Sequence, residues 1–413
     1  MFFLKNLRAA LLLTIASLLL SSCGQPASTA ENPNLTRTAV FNQALLTATY
    51  SVPSPTPSPS PTLTPTVTPA PTSTSTPIRT PPVLAGVFQS SFLNPKDSPQ
   101  TYIASTCQYL RDRWNPNNAA PGTVVMPIMF HSITDGEINH PYQIKAEAVT
   151  QLLRDLKSQG FETITTQQLA DFLQHNARIP ARSVLLIVDD LHTDLYYRDH
   201  FVPIFKEYGW SLTNAWISQP EDSKRVREGN LKLQQEGWVD HQAHGVIHNI
   251  NITEFKPGTV IQTELYGTVT AEEFIHKELD GSMKAIKETF GKAPIAYIWP
   301  GGNFSMRGVE VARTLGYQLG FTINPRGPVM YNWIPQASEK DPGRPSFNPE
   351  GTIKDPQMLL PRYWDLDARA HIDTVRAIGK EAAAAAEQNR VSELAYYEIV
   401  CQPALGPLPT QAP

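Results

Sequence analysis

The chain has 413 residues, a formal net charge of −4 and 37 prolines. This length suits one large domain or two average ones, and the weak negative charge excludes a simple electrostatic case for nucleic-acid binding. Many of the prolines fall in one segment, so we expect part of the chain to be a linker and not a packed domain.

The N-terminus has the pattern of an export signal. Lys5 and Arg8 precede an apolar stretch, residues 9–20, which is too short for a stable membrane span. The stretch leads into Leu-Ser-Ser-Cys, ending at Cys23, and this resembles the bacterial lipobox. We therefore predict that residues 1–22 are a lipoprotein signal peptide and that acyl chains on Cys23 anchor the protein to a membrane. An ordinary secretory signal is the alternative.

Residues 23–82 are predicted to be a disordered linker behind this anchor. From residue 51 to 82 the chain is almost entirely Pro, Thr and Ser, and Arg79 is the only charge. Such a segment buries too little apolar surface to fold and favours polyproline II, which at ~3.1 Å per residue reaches on the order of 100 Å. We expect residues 83–123 to be an extension that packs on the main domain, and 402–413 to be a disordered tail.

Two further cysteines, Cys107 and Cys401, lie near opposite ends of the predicted folded region. Export implies an oxidising compartment, and the termini of a domain are often close together. A disulfide between them is therefore predicted, with two inert buried thiols as the alternative. Neither cysteine has the CxxC spacing of a cysteine zinc site.

From residue 124 onward, strand-like and helix-like stretches alternate, which predicts a mainly parallel α/β fold. The number of units favours a barrel over an open sheet. The predicted strands are Val124–Phe130, Phe161–Ile164, Ser183–Asp190, Leu212–Ile217, Ile295–Trp299, Tyr317–Thr322 and Met358–Pro361. The predicted helices are Ile144–Gln159, Thr166–His175, Tyr196–Tyr208, Ser223–Gln235, Ala271–Phe290, Met306–Leu315 and Ala368–Gln388. We expect a long loop over residues 324–356.

One of these strands ends an apolar, β-branched run in two adjacent carboxylates, Asp189 and Asp190. The C-terminal ends of parallel strands form the active-site face of barrel folds. Two acids placed there repel each other, so one of them should carry a raised pKa or share a cation. The alternative is an acidic pair that only caps the following helix.

Two histidines, His244 and His248, are four residues apart. On a helical turn they would share one face and offer two nitrogens to one divalent metal, although surface helices also carry such pairs by chance. Together with Asp190 they make three protein ligands with an open position, the pattern of a catalytic metal site. Asp189 is then free to take a proton from water, and a histidine is the usual donor to a leaving group.

Four stretches resemble, in the same order, the polysaccharide deacetylases with a NodB-homology domain. They are Met126–His131, Leu185–Asp190, the His244/His248 pair and Tyr297–Gly302. The resemblance extends over residues 124–323 and is greatest for the branch that deacetylates poly-N-acetylglucosamine. It implies a distorted (β/α) barrel of about seven parallel units and metal-dependent hydrolysis of N-acetyl groups.

The resemblance also implies a role for each candidate residue. Asp189 would be the general base and His131 the general acid that protonates the leaving amine. Asp190, His244 and His248 would bind the metal, usually Zn²⁺. For His131 the alternative is a histidine that only satisfies hydrogen bonds at a strand end.

Three positions depart from the family pattern. Leu191 stands where Gly is usual, Gly245 where Ser or Thr is usual, and Trp299-Pro300-Gly301-Gly302 where many members have Arg-Pro-Pro-Tyr. No arginine is therefore available there to orient the catalytic Asp, and Arg362 is a candidate to replace it. The predicted substrate contacts are Trp299, Gly301, Asn303 and Arg362, with Trp299 stacking on a sugar ring; core packing is the alternative for Trp299.

We therefore predict that residues 124–401 form the catalytic domain of an exported, membrane-anchored bacterial lipoprotein of the cell surface or periplasm. It would deacetylate poly-N-acetylglucosamine, peptidoglycan or a chitin-like polymer. A non-catalytic carbohydrate-binding protein of the same fold is the alternative. A metal-free glycoside hydrolase is disfavoured, because adjacent acids can hardly flank a glycosidic bond at the required ~5 Å or more.

Overall fold

A computed structural model describes residues 79–219, 223–248 and 252–411. Cys23, the predicted signal peptide and most of the predicted linker lie outside the described residues. Within the described part of the chain, no helix is both long enough and apolar enough to cross a membrane.

The strands are β1 (Asp97–Gln100), β2 (Val124–Phe130), β3 (Ser132–Thr134), β4 (Gln143–Lys145), β5 (Glu162–Thr163), β6 (Arg182–Val188), β7 (Leu212–Trp216), β8 (Val239–Ala243), β9 (Val260–Thr263), β10 (Gly267–Thr270), β11 (Ala296–Ile298), β12 (Leu319–Phe321), β13 (Ile334–Ala337) and β14 (Tyr363–Trp364). The α-helices are α1 (Thr106–Arg113), α2 (Ala146–Ser158), α3 (Thr166–His175), α4 (Asp194–His200), α5 (Val202–Tyr208), α6 (Lys224–Gln235), α7 (Ala271–Phe290), α8 (Met306–Leu315), α9 (Ala368–Tyr396) and α10 (Gln402–Leu405). A π-helical turn covers Tyr397–Cys401, and 3₁₀ turns cover Pro300–Gly302 and Pro356–Met358.

The main sheet consists of parallel strands in the order β12–β11–β8–β7–β6–β2–β14, and β5 adds to the start of β6. The segment before β14 closes this sheet, because Leu360 pairs in parallel with Phe321 of β12 while Tyr363 pairs with Ile128 of β2. Gly320 permits this closure: a Cβ atom there would lie 2.1 Å from the Met358 carbonyl oxygen. The seven strands form a closed, irregular parallel barrel, so the predicted distorted (β/α) barrel is confirmed.

The two fully apolar strands explain how the barrel is built. Every residue of β2 is buried, as is every residue of β6 after Arg182, which is typical of parallel strands covered by helices on the outside. Their register runs from Val124 opposite Arg182 to Phe130 opposite Val188. The residues that follow these two strands therefore leave the barrel at the same edge, which we call the C-terminal edge.

Several elements have the bounds predicted from their sequence patterns, namely β2, α3, α7 and α8. Helices α3 and α7 both begin with a capping box, formed by Thr165 with Gln168 and by Thr270 with Glu273. The predicted helix Tyr196–Tyr208 was wrong as a single element. It is divided into α4 and α5 at Phe201, because Pro203 lacks the N–H that would continue the helical bonding.

The region predicted as a long loop, residues 324–356, contains strand β13, which pairs antiparallel with β1 of the N-terminal extension. A buried ion pair joins the same two segments, because Arg326 contacts Asp97 at 3.3 Å, and Arg326 also contacts Glu350 of its own segment at 3.1 Å. The extension therefore packs on the barrel domain through this excursion.

The C-terminal end of the domain is tied to helix α1. Cys107 and Cys401 form a disulfide across a sequence separation of 294. The predicted disordered tail needs correction, because residues 402–405 form α10 and residues beyond it bond to the domain. The Tyr397 hydroxyl donates to the Gly406 carbonyl at 2.9 Å, and the Asn117 side chain donates to the Thr410 carbonyl at 3.0 Å.

Candidate functional site

The C-terminal edge of the barrel brings His131 and Asp189 together, because these residues directly follow the paired ends of β2 and β6. The backbone ladder continues to this point, since the Asp189 N–H donates to the Phe130 carbonyl at 2.8 Å. His131 Nε2 lies 3.6 Å from Asp189 Oδ2. The strand pairing thus places a histidine and a carboxylate face to face.

A buried arginine holds the other oxygen of this carboxylate. Arg362 Nη1 donates to Asp189 Oδ1 at 2.6 Å, and Arg362 Nε donates to the Thr322 carbonyl at 2.7 Å. Burial alone would raise the pKa of Asp189, but the charge of Arg362, aided by His244 and His131, outweighs it and lowers this pKa well below its usual range. Asp189 is therefore a charged carboxylate whose Oδ2 remains directed at His131.

Arg362 was predicted as a substrate contact, and this is wrong, because its side chain is fully buried. Its position matches the other expectation from the sequence, that Arg362 orients the carboxylate in place of the missing motif arginine. Strand closure explains the location, since Arg362 directly precedes β14 at the seam of the barrel.

The second carboxylate joins the two histidines. One ligand atom from each of Asp190, His244 and His248 lies within 4.8 Å of the others. Asp190 Oδ1 is 3.9 Å from His244 Nε2 and 3.5 Å from His248 Nε2. Ligands at about 2.1 Å from one tetrahedral ion would be roughly 3.4 Å apart, so small side-chain movements would bring these three atoms to coordination distance.

The chemistry of His244 also fits a divalent metal. Its Nδ1 lies 2.8 Å from the Ile298 carbonyl oxygen, so Nδ1 carries the proton and Nε2 presents its lone pair to the cluster. Burial lowers the pKa of His244, which keeps the imidazole neutral, as a metal ligand requires. The donor set of two imidazoles and one carboxylate is one that zinc accepts.

The i, i+4 spacing of the two histidines had suggested a helix. In the structure the pair lies on a loop instead. His244 follows β8, and the chain then turns through Gly245 at φ 83° and His248 at φ 50°. A positive φ is unusual for a residue other than glycine. The loop, and not helical periodicity, brings the two rings to a centroid distance of 4.7 Å.

Three aromatic rings form a stack that begins at His131. The Trp364 ring lies 5.1 Å from that of His131 with an interplanar angle of 13°, and the Tyr142 ring lies 5.7 Å from that of Trp364 at 28°. Tyr142 is 57% exposed. Tyr142 was not predicted as a site residue, because its loop between β3 and β4 carries no motif.

Asp365 was also missed. It directly follows β14 and is 3% exposed, yet neither carboxylate oxygen meets a donor at normal hydrogen-bond geometry among the described residues. Burial raises the pKa of Asp365 to about 7, although the backbone N–H groups of Leu366 and His131 lie near enough to offset part of the effect. An apolar run ending in an acid would have been the signal, but β14 is only two residues long.

The predicted sugar contact of Trp299 is wrong. Its indole is fully buried, and Nε1 donates to the Met358 carbonyl at 2.8 Å, so it packs in the core. Gly301 is exposed at φ 59° and Asn303 is half-buried, both at the turn after β11.

Leu191 packs against an apolar cluster that includes Trp216. A glycine is usual at position 191 in the family resemblance, but Leu191 does not have a positive φ. The residue with positive φ beside the acids is Asp190, at 72°.

The fold and the site define a parallel barrel with an Asp-His-His cluster beside a charged Asp and a histidine. A sequence model of the family described as polysaccharide deacetylase matches residues 176–320. The match includes Asp189, Asp190, His244 and His248, whereas His131 and Arg362 lie outside it. This matched stretch, 145 of the 413 residues, is similar to the polysaccharide deacetylase family.

Two curated proteins are similar to this chain. Bacillus subtilis YxkH, provisionally named a polysaccharide deacetylase, is 25% identical over 198 residues, which cover 48% of this chain and 64% of YxkH. The poly-β-1,6-N-acetyl-D-glucosamine N-deacetylase of Escherichia coli K12 is 20% identical over 233 residues, covering 49% of this chain and 34% of that enzyme. The chain thus spans less than two thirds of either relative.

Among solved structures, that of IcaB from Ammonifex degensii is similar, with a TM-score of 0.45 and 17% identity over 62% of this chain and 97% of IcaB.

Proposed function

We propose that this protein is a metal-dependent hydrolase that removes N-acetyl groups from an amino-sugar polysaccharide of the cell surface. The observation that carries the proposal is the placement of the Asp190-His244-His248 cluster beside the Asp189–His131 pair at one barrel edge. The match of residues 176–320 to the polysaccharide deacetylase family supports the reaction type. The similarity to an enzyme named for poly-β-1,6-N-acetyl-D-glucosamine supports this substrate class, and peptidoglycan or a chitin-like polymer has the same amide group.

In this proposal Asp190, His244 and His248 hold one divalent cation, with zinc the first candidate. When bound, such a cation supplies Lewis acidity toward water and toward the oxygen of an acyl group.

Asp189 acts as the general base. It is charged, and Arg362 fixes one of its oxygens, so Oδ2 is the atom that accepts the proton of the attacking water. Asp189 is adjacent to Asp190 in the chain, so the base lies next to a proposed ligand of the cation. The Arg362 contact keeps the carboxylate from rotating away from this task.

His131 acts as the general acid. Its Nε2 faces Asp189 Oδ2, and its ring is held against Trp364. In the reaction a water oxygen forms a bond to the acetyl carbon, and the amide C–N bond breaks. The proton from His131 passes to the leaving nitrogen, so acetate is released and a free amine remains on the sugar.

Trp364 and Tyr142 form the proposed wall for the sugar chain, in place of the buried Trp299. The face of an exposed aromatic ring suits the apolar face of a sugar, and Tyr142 is the outermost ring of the stack. Gly301 and Asn303 remain proposed substrate contacts, on the turn after β11.

The location of the protein is part of the proposal. We propose that Cys23 is lipidated and that residues 23–82 act as a tether, so that the domain works outside the membrane on a bacterial cell surface or in a periplasm. The Cys107–Cys401 disulfide is consistent with an oxidising compartment.

Acetate release from acetylated glucosamine oligomers tests this function, with Asp189→Asn as the decisive variant. We expect the substitution to lower the rate by at least about 100-fold, because it removes the base, and to leave metal binding intact. Asp199→Asn, at an exposed carboxylate of α4, is the matched control and should retain the wild-type rate.

Full activity of the Asp189→Asn protein would exclude Asp189 as the base. A wild-type protein that binds metal and oligomers without releasing acetate would instead support the carbohydrate-binding alternative. Its motivation from sequence was the missing glycine and arginine of the motifs. Arg362 contacts Asp189 as such an arginine would, and Asp190, not Leu191, has the positive φ. Both observations weaken the case for a non-catalytic protein.

A further inference from the structure

A buried glutamate on helix α7 supports the loop that carries both histidines of the cluster. Glu278 Oε2 accepts hydrogen bonds from the backbone N–H of Val246 at 3.0 Å and of Ile247 at 3.3 Å. These two residues lie between His244 and His248. The Glu278 carboxylate therefore bonds to the backbone of the loop and not to the ring of His244 or His248.

The second oxygen of this carboxylate is also occupied. Tyr266, from the turn between β9 and β10, donates its hydroxyl to Glu278 Oε1 at 2.7 Å. Glu278 is fully buried, and burial raises its pKa in spite of these donors. Burying a carboxylate in this way is unfavourable unless its hydrogen bonds are made, so its placement here requires a local reason.

Gly245 provides the space that the glutamate fills. A Cβ atom at Gly245 would lie 2.7 Å from Glu278 Oε2, and the residue has φ 83°. The serine or threonine usual at this position in the family resemblance would therefore collide with the carboxylate. Glycine at 245 and glutamate at 278 fit each other as a pair.

The loop needs such an external acceptor. Val246 is buried, so an N–H there without a hydrogen-bond partner would be unfavourable. His248 adopts φ 50°, which a histidine holds only when its surroundings fix it. Hydrogen bonds from the two preceding N–H groups to one rigid carboxylate supply that constraint.

We propose that Glu278 is a positioning residue that sets the His244–His248 loop in its metal-binding conformation and thereby raises the affinity of the site for a divalent cation. This inference rests on the proposed metal site. It assigns a role to the glycine that departs from the family pattern, because a serine or threonine there would displace the carboxylate.

The test measures zinc dissociation constants by competition with a chromophoric chelator, together with thermal unfolding of the metal-free protein. Glu278→Leu should weaken zinc binding by about 10-fold or more, the effect typical of residues that orient metal ligands. Glu278→Gln keeps an acceptor oxygen for the two N–H groups and should remain within about threefold of wild type. Glu288→Gln, at an exposed position of the same helix, is the control and should change nothing.

Glu278→Asp provides a second test in case the leucine variant does not fold. It keeps the charge but withdraws the carboxylate from the loop by about one methylene, so zinc binding should weaken although the helix remains intact. Weakened binding in the aspartate and leucine variants with rescue by glutamine supports the proposal.

Two outcomes would overturn it. Variants that unfold at lower temperature but bind zinc with the wild-type constant would make Glu278 purely structural, and a glutamine variant as weak as leucine would show that charge and not loop geometry matters. A wild-type protein that binds no zinc would instead remove the metal site itself, and with it the proposed function.

Discussion

Two buried groups of arginine and carboxylate side chains in the described part of the chain differ in how completely they are paired. Where the N-terminal extension meets the excursion, both Asp97 oxygens accept from Arg344, at 2.7 and 2.9 Å, and both Glu350 oxygens accept hydrogen bonds as well. At the C-terminal edge only one oxygen of Asp189 is held, by Arg362.

Several buried polar atoms without a hydrogen-bond partner lie at that edge, although others, such as Gln336 Oε1 of β13, lie elsewhere among the described residues. Arg362 Nη2 and His131 Nδ1 are buried without a hydrogen-bond partner among the described residues, and the Asp365 carboxylate lacks a donor at normal geometry. Buried polar groups are almost always paired in folded proteins, so a local group of exceptions indicates a site that awaits a ligand or a reaction. We therefore expect the ion pairs of the excursion to stabilise the fold, and the side chains of the C-terminal edge to take part in the reaction.

The largest expected effect comes from exchanging the central arginine of each group for lysine. Arg362→Lys should lower the rate of acetate release by about 100-fold, because an ammonium cannot bond both Asp189 and the Thr322 carbonyl as the guanidinium fork does. Arg326→Lys should leave this rate unchanged and lower the free energy of unfolding by a few kcal/mol. Acetate assays and urea unfolding of both variants check the contrast; equal losses of activity would contradict it.

A smaller effect concerns pH. The pKa of Asp365 is about 7 in the folded protein, so between pH 4 and 7 the folded state keeps a proton that the unfolded state has lost. The free energy of unfolding should therefore fall as pH rises through this range, by up to about 1.4 kcal/mol per unit.

Asp365→Asn should remove that dependence, so the variant gains stability relative to wild type at pH 8 compared with pH 5. Urea unfolding of the metal-free proteins at both pH values measures it, with Asp199→Asn as the exposed control. A stability difference between wild type and Asp365→Asn that is the same at both pH values would refute the raised pKa.

The smallest effect is expected at the outer ring of the aromatic stack. Tyr142→Ala should raise KM for a glucosamine oligomer by about 2- to 10-fold and leave kcat nearly unchanged, since one stacking contact is worth about 0.5–1.5 kcal/mol. Tyr142→Phe keeps the ring and should behave as wild type. If the alanine and phenylalanine variants have equal KM values, the ring does not contact the sugar.

The comparison also explains what the sequence could and could not predict. The apolar runs of β2 and β6 have a strong local pattern, so both strands were predictable. The bounds of β2 were predicted as observed, whereas β6 ends at Val188, before the two acids that the predicted strand had included. The helices α3, α7 and α8 were equally clear because caps or glycines mark their ends.

The missed features depend on contacts between distant segments. The β1–β13 pairing joins residues about 240 positions apart, and each strand has only four residues, too few for a period to stand out. Trp299 was assigned to the sugar because of its motif position, but the closing segment of the barrel covers it. The Gly245–Glu278 pair was invisible, since nothing in the sequence relates a glycine to a glutamate 33 residues later.

The central claim is that Asp190, His244 and His248 form the metal centre of a hydrolase, and metal analysis of the purified protein tests it most directly. We expect about one divalent ion per chain, lost in His244→Ala and retained in Asp189→Asn. Protein that carries no stoichiometric metal, or a His244→Ala variant that keeps it, would contradict this account.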